Sequence, residues 1–345
     1  MYTAGYREFN LDFIKPVRTS RGVISRKSGF LISIAREDDP DITGTGECST
    51  LAGLGYDDKA EYEDVLEGLC RNINTPFNVL MEEYREWPSI CFGLETAVLD
   101  LKKGGGGLLF DSPFTKGTVP IPINGLVWMG DYEFMLSQID EKIAAGFKVI
   151  KLKIGAIDFE SELNLLRYIR SRPDSSEITI RLDANGAFSC GEVVEKLYAL
   201  AEFNIHSIEQ PLKPGNIGLM KDICGLSPIP IALDEELIGH HTHEERANLI
   251  QAIKPAYIIL KPSLLGGFAA CDDWIKVCNE YEIGYWITSA LESNIGLNAI
   301  AQYTACVDTK GLPQGLGTGG LFRNNFPSYM EIVNGELWCR RATHT

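Results

Sequence analysis

The sequence predicts an α/β protein in which a parallel β/α barrel follows a small α+β unit. Three observations predict it. First, from Lys151 to Lys261 short apolar runs each end on ionisable residues: FKVIKLK on Lys151 and Lys153, ITIRLD on Asp183, HSIE on Glu209, PIALD on Asp234 and YIILK on Lys261. Second, the steps from Lys153 along this series are 30, 26, 25 and 27 residues, about the length of one strand, one helix and two short loops. Third, residues 1 to about 115 do not follow this beat, and the stretch after Gly320 adds no further βα unit.

The N-terminal unit reads as strands over 6–14, 29–35 and 44–48, rich in β-branched and aromatic residues, and then as helices over 56–72 and 89–103 with apolar faces such as Ile90, Leu94, Ala97 and Leu101. Its connecting segments, Thr19 to Gly22 and Ser49 to Gly55, are loops long enough to cover something. Gly104 to Gly107 could suggest a phosphate cradle, but no strand precedes it and no Lys-Ser or Lys-Thr follows, so it reads as a helix stop. Pro113, Pro120 and Pro122 mark the domain boundary.

The barrel beat starts with a strand over 121–128 and a helix over 131–145, ended by Gly146 at the position where a left-handed backbone favours glycine. Strand two covers 147–153. Helices then follow at 159–170, 191–202, 242–252, 268–281 and 293–304, with a less regular segment at 211–226. GYWITS, reaching Ser289, and QGLGTGG, near Gly317, bring the strands to about eight, enough to close. Residues 329–333 and 336–339 around Asn334-Gly335 read as a hairpin that returns to the N-terminal unit.

Composition excludes several functions. With 345 residues, 45% hydrophobic and 23% charged, the chain is an ordinary globular protein. A net charge of −15 argues against nucleic acid as a partner. No apolar run of about 18 residues could span a membrane, and MYTAGYREF lacks the form of a signal peptide, so a cytoplasmic location is expected. Nine singly spaced cysteines without a CxxC pair read as free thiols before metal or nucleophile roles. His240, His241 and His243 are either solvated surface or a metal site.

Because every strand of such a barrel ends at one rim, residues far apart in sequence meet there. Asp183, Glu209 and Asp234 then crowd together on three successive strands and repel unless a cation joins them; oxygen-only donors favour Mg²⁺, the alternative being acids that cap the following helices. Lys151, Lys153 and Lys261 flank them. A lysine with an ordinary pKa of about 10.4 is a poor base, but beside a cation and other ammonium groups it can be tuned to act as one; otherwise it balances the carboxylates. Lys151 and Lys153 point to the same face, and Lys151 is the one expected to act as the ion-pair partner. A metal with a lysine suits removal of a proton α to a carboxylate, through an enediolate.

These motifs, Lys151-Leu-Lys153, Arg181-Leu-Asp183-Ala-Asn185, Ser207-Ile-Glu209-Gln-Pro211, Asp234-Glu235 and Lys261-Pro262, resemble the muconate-lactonizing branch of the enolase superfamily. The likeness implies a modified TIM barrel, (β/α)7β, with an α+β capping domain: 1–115 in the cap, 116–320 in the barrel, and 321–345 returning to the cap. Ser289 to Gly296, Gly315 to Phe322 and Lys261 to Gly267 are most similar to the o-succinylbenzoate synthases of that branch. What this resemblance implies is a dehydratase of menaquinone synthesis that takes a small carboxylate substrate. Asp183, Glu209 and Asp234 would hold Mg²⁺, with Mn²⁺ as a substitute. Lys153 would be the base and then protonate the leaving hydroxyl, Lys261 would stabilise the enediolate from the other side, and Lys151 would complete the catalytic set. Arg181, Ser289, Glu292, Gly317, Thr318, Ser20 and Leu51 would bind substrate, supported by Asn185 and Glu235. N-acylamino acid racemases and dipeptide epimerases share both lysines and the three ligands, so Mg²⁺-dependent 1,1-proton transfer is the alternative; a homo-oligomer is compatible with either.

Overall fold

The computed structural model describes residues 1–19, 22–172 and 175–341. Three long antiparallel strands open the chain, β1 (Tyr2–Thr19), β2 (Gly22–Arg36) and β3 (Asp39–Cys48), and helices α1 (Tyr62–Arg71), α2 (Phe77–Glu83) and α3 (Pro88–Lys102) pack on them. Ile32, Ile34, Leu66, Leu69, Leu80, Ile90 and Leu94 fill that unit's own core. α1 starts six residues later than the apolar pattern suggests, because Asp57 accepts the amide of Ser89 at the start of α3 and holds the preceding segment as turns. The short α2 follows Pro76 and carries too few turns to show a period in sequence. Gly104 to Gly107 all have φ between 76° and 90° and end α3.

The barrel is a seven-stranded parallel sheet in the order β11-β10-β9-β8-β7-β6-β5. Its strands and helices alternate as β5 (Gly125–Val127), α4 (Tyr132–Ala144), β6 (Val149–Lys153), α5 (Phe159–Ser171), β7 (Thr179–Asp183), α6 (Val193–Ala201), β8 (Ile205–Glu209), α7 (Ile217–Leu226), β9 (Ile231–Leu233), α8 (His243–Ile253), β10 (Tyr257–Leu260), the short α9 (Pro262–Leu265), α10 (Phe268–Glu280), β11 (Gly284–Ile287) and α11 (Asn294–Thr304). The eighth member is reduced to Gln314-Gly315, which bridges Ile123 on one side and Thr288 on the other and so joins the two ends of the sheet. This is a modified TIM barrel under an α+β cap.

The strand expected over 121–128 is two pieces. Pro122 lacks an amide donor, so the run breaks there: β4 (Ile121–Pro122) pairs with the C-terminal hairpin, and only Gly125–Val127 joins the barrel. That hairpin, β12 (Met330–Val333) and β13 (Glu336–Cys339), turns through Asn334 and Gly335 at φ 51° and 75°, the two positive values that a tight hairpin turn requires. It adds to β4, whereas the segment before it meets the cap: Phe322 bridges Phe13, and Asn324 accepts from the Asp12 amide.

Cap and barrel meet through Phe9, Leu11, Phe13, Leu31, Leu291 and Phe322, and through a carboxylate. α10 begins at Gly267, which has no side chain to cap it; Glu95 of α3 supplies the acceptor, taking the Phe268 amide at 2.5 Å and that of Ala269 at 3.2 Å. Burial raises the Glu95 pKa to about 7 from 4.5. Between those values the folded chain keeps a proton that the unfolded chain has lost, so the contribution is present below about pH 4.5 and is lost as pH rises through about 7, by up to about 3 kcal/mol. Glu95→Gln, neutral throughout, is therefore expected to gain stability relative to the parent between pH 5 and pH 8 in urea unfolding; a difference that does not change with pH contradicts this.

Candidate active site

The β-ladder register sets the site. Lys151, Arg181 and Ser207 are paired across β6, β7 and β8, and one layer higher Lys153, Asp183 and Glu209 are paired in turn. Side chains two apart on a strand share a face, so the upper layer stands at the rim and the lower fills the barrel. Asp234 and Lys261 follow the last residues of β9 and β10 and complete the rim.

The lysines and acids interlock. Lys151 Nζ lies 2.5 Å from Glu209 Oε2 and 3.0 Å from Asp183 Oδ2; Lys153 Nζ lies 3.0 Å from Asp183 Oδ2 and donates to Asn185 Oδ1 at 2.6 Å; Lys261 Nζ lies 2.5 Å from Asp234 Oδ2. Asn185 in turn donates to Glu235 Oε1 at 3.1 Å. Burial would discharge Lys151 and Lys261, but their carboxylate neighbours, Asp183, Glu209 and Asp234 for the first and Asp234 and Glu235 for the second, outweigh it and hold both pKa values above the ordinary lysine range. Burial likewise works to raise Asp183, yet Lys151, Lys153 and Lys261 hold it well below the carboxylate range. Glu209 differs: burial raises it to about 7, with Asp183 and Asp234 adding to the effect against Lys151.

Among the described residues no three His, Cys, Asp or Glu side chains have the spacing of a metal site; the Lys151 ammonium sits against both Asp183 and Glu209, and Lys261 against Asp234. The donor set nevertheless fits a hard cation. Four carboxylates, Asp183, Glu209, Asp234 and Glu235, face three lysines, and Glu209 Oε1 is buried without a hydrogen-bond partner. An oxygen so placed, on a carboxyl pushed up by burial and further by neighbouring negative charge, is where a divalent cation would be stabilised.

A cavity opens on this rim. It is lined by Lys151, Lys153, Asp183, Asn185, Glu235 and Lys261 at its base, by Ser289, Gly317 and Thr318 on one wall, and by Leu51 and Leu54 from the cap. Ser289 Oγ and Thr318 Oγ1 are 2.6 Å apart. Ser20 falls outside the described residues. Two residues expected at the substrate lie elsewhere. Arg181 belongs to the lower layer: it is buried with its guanidinium 4.0 Å over the Trp286 ring, donates to Pro313 O at 2.7 Å, and has its pKa lowered to about 10 by burial. Glu292 is fully buried behind the Ser289–Leu291 wall, where it accepts from Ser263 Oγ and from the Ala290 amide.

Other lining residues were not singled out from sequence. Trp128, with its ring 5.8 Å from Lys153 Nζ, and Asn124, with a buried Oδ1 that has no partner, come from the strand that Pro122 breaks. Gln210 adopts φ 37° and accepts from the amides of Asp234 and Glu236, which fixes the turn after β9; its position next to Glu209 was its one signal. The histidines split: His243 is exposed and 2.9 Å from Asp273, whereas His240 and His241 are half-buried, each with one ring nitrogen buried and unpartnered, and His241 is edge-on to Tyr56. All nine cysteines are free thiols.

Residues 135–342 match the family model of enolase C-terminal domain-like proteins. The chain is 42% identical to an o-succinylbenzoate synthase of Desulfotalea psychrophila, over 96% of this chain and 97% of that one. The crystal structure of MenC from Desulfotalea psychrophila LSv54 superimposes with a TM-score of 0.85 at 39% identity, covering 98% and 99% of the two chains. An L-Ala-D/L-Glu epimerase from Bacillus subtilis, at 16% identity, a TM-score of 0.80 and coverage of 97% and 95%, shares the fold. Among the described residues no helix is long and apolar enough to cross a membrane.

Proposed function

The chain belongs to the enolase C-terminal domain-like family, and from that membership we propose that it acts as an o-succinylbenzoate synthase, a lyase of menaquinone biosynthesis. Its substrate is a cyclohexadiene carboxylate with a β-hydroxyl and a succinyl side chain, and loss of water makes the ring aromatic. The observation that carries the chemistry is that Lys153 and Lys261 enter one cavity from β6 and β10, with the carboxylate cluster between them. The division that goes with this reading is a cap over 1–115, a catalytic barrel over 116–320 and a tail from 321.

In this reading Lys153 Nζ, as free amine, takes the proton α to the carboxylate. The same group then returns a proton to the β-hydroxyl, which leaves as water, so one lysine closes the proton cycle. Its bonds to Asp183 and Asn185 aim the nitrogen into the cavity. Lys261, held charged by Asp234 and Glu235, faces the developing carboxylate charge and stabilises it. Lys151, also held charged, balances Asp183 and Glu209. Mg²⁺ held by Asp183, Glu209 and Asp234, or Mn²⁺ in its place, would supply Lewis-acid stabilisation of the same charge. Leu51 and Leu54 cover the ring and exclude water, and Ser289 with Thr318 offers hydroxyls to the side-chain carboxylate. A cytoplasmic location and a small-molecule substrate belong to the same reading.

Absorbance at the aromatic product's band, with Mg²⁺ and the cyclohexadiene substrate, tests it. Steady turnover is expected. A folded, Mg²⁺-binding protein that leaves this substrate unchanged, or that instead racemises an N-succinylamino acid faster, overturns it.

A further inference from the structure

Below the wall of the cavity lies a second buried charge cluster, to which the mechanism above gives no part. Lys27 of β2 is 5% exposed, Glu47 of β3 is 1% exposed and Glu292 is fully buried. Lys27 crosses from the cap to donate to the Ala290 carbonyl at 3.0 Å. Glu47 also crosses: it accepts the Ser293 amide at 3.0 Å, Ser293 Oγ at 2.5 Å and the Gly296 amide at 3.1 Å, at the N-terminus of α11, and Ser49 Oγ at 2.7 Å within the cap. A Cβ at Gly296 would stand 2.8 Å from Glu47 Oε2, so the glycine makes room for the carboxylate. Glu292 takes the Ala290 amide at 2.8 Å with one oxygen and Ser263 Oγ with the other.

The two ends of this network are parts of the active site. Ser263 is two residues beyond Lys261, and Ala290 and Leu291 line the cavity. Leu291 has φ 65°, a left-handed conformation that is strained for a non-glycine residue and persists only where its surroundings enforce it. The bonds that enforce it are those on both sides of the Ala290 peptide, its carbonyl to Lys27 and its amide to Glu292. The positive charge of Lys27 and the N-terminus of α11 offset the two carboxylates.

We propose that Lys27, Glu47 and Glu292 form an inter-domain clasp that positions both Lys261 and the Ser289–Leu291 wall, so that the cap acts on the chemistry through side chains that never touch substrate. This rests on the reading of the cavity as the active site. Glu292, which the family resemblance places among substrate contacts, is then a positioning residue. The clasp works by geometry: a wall or an ammonium displaced by about 1 Å is enough to lower a rate by about 10²-fold.

The test uses the full chain loaded with Mg²⁺. In Lys27→Met, amide hydrogen exchange across Ser289–Leu291 is expected to speed up by about 10-fold or more while β6, β7 and β8 keep their protection; unchanged exchange there overturns the clasp, whether or not the chain has the proposed activity. Lys27→Met is further expected to lower kcat/KM by roughly 10- to 100-fold with Mg²⁺ affinity within about twofold of the parent, and Lys27→Arg to recover most of the loss. Parental kcat and KM in Lys27→Met would overturn it. If that variant does not fold, Ser263→Ala cuts the link to Lys261 alone: a fall in kcat of about fivefold or more at nearly constant KM supports the clasp, and an unchanged kcat contradicts it. A parent chain with no turnover would count against the assigned reaction, and the exchange measurement would still decide the clasp.

Discussion

Lys153→Ala is expected to lower kcat by about 10³-fold while leaving Mg²⁺ binding nearly intact. The size follows from removing the only group assigned to both proton transfers, and the unchanged metal affinity from where the lysine sits. Its Nζ bonds Asp183 Oδ2, an oxygen that Lys151 also contacts at 3.0 Å, so the carboxylate keeps a cationic neighbour when Lys153 is gone. Its loss also leaves Glu209 and Asp234 with their own lysines, Lys151 and Lys261. Steady-state kinetics and calorimetry on the same preparation separate the two effects. Turnover close to that of the parent would refute the assignment of Lys153 as the base, and a parallel loss of metal affinity would move the residue into the binding set.

The opposite pattern is expected of Glu209→Gln: Mg²⁺ affinity should fall by at least roughly 10²-fold, since losing a charged ligand costs no less than losing the outer partners that support one, and activity should return in part at high Mg²⁺. Glu209 carries the one carboxylate oxygen of the trio that is buried without a partner, and an amide there still fills the space without offering a charged donor. The substitution also removes the counter-ion of Lys151, 2.5 Å away. Lys151 would then rely on Asp183, so a modest loss of stability is expected beside the loss of metal. Calorimetry at several Mg²⁺ concentrations reads the first effect, and kcat at saturating Mg²⁺ shows how much of the damage is metal alone. Parental Mg²⁺ affinity in Glu209→Gln would remove this residue from the ligand set.

Much of this was legible because the barrel converts sequence interval into spatial order. Lys153, Asp183 and Glu209 fall at strand ends spaced by one βα unit, and the structure pairs them directly across β6, β7 and β8. The same alternation that made Lys151 and Lys153 share a face also puts Arg181 on the face of Asp183. Both Lys151 and Arg181 stand one layer deeper, but Lys151 reaches up to Asp183 and Glu209, whereas the Arg181 guanidinium turns onto Trp286 and Pro313 instead of the cavity. Glu292 was misplaced for a different reason: the left-handed turn at Leu291 sends the next side chain inward, and a single non-glycine residue gives no sign of such a turn.

What sequence left out depends on contacts between distant segments. Lys27 and Glu47 look like ordinary charges on amphipathic cap strands, and only the docked barrel loop, more than 240 residues away in the chain, buries them. Trp128 and Asn124 reach the cavity because Pro122 breaks the strand before them, and the eighth strand could shrink to Gln314-Gly315 because two bridges suffice to join the sheet's ends. α2 is too short for a periodic signal.

The most direct test of the central claim is NMR of the cyclohexadiene substrate incubated with the Mg²⁺-loaded protein in D₂O. Proton abstraction by Lys153 followed by loss of the β-hydroxyl predicts conversion to the aromatic succinylbenzoate, with release of water and no accumulation of hydroxylated starting material deuterated at the α carbon. Deuterium at the α carbon with the hydroxyl retained would contradict it, as it would show that the lysines exchange the proton without completing the elimination.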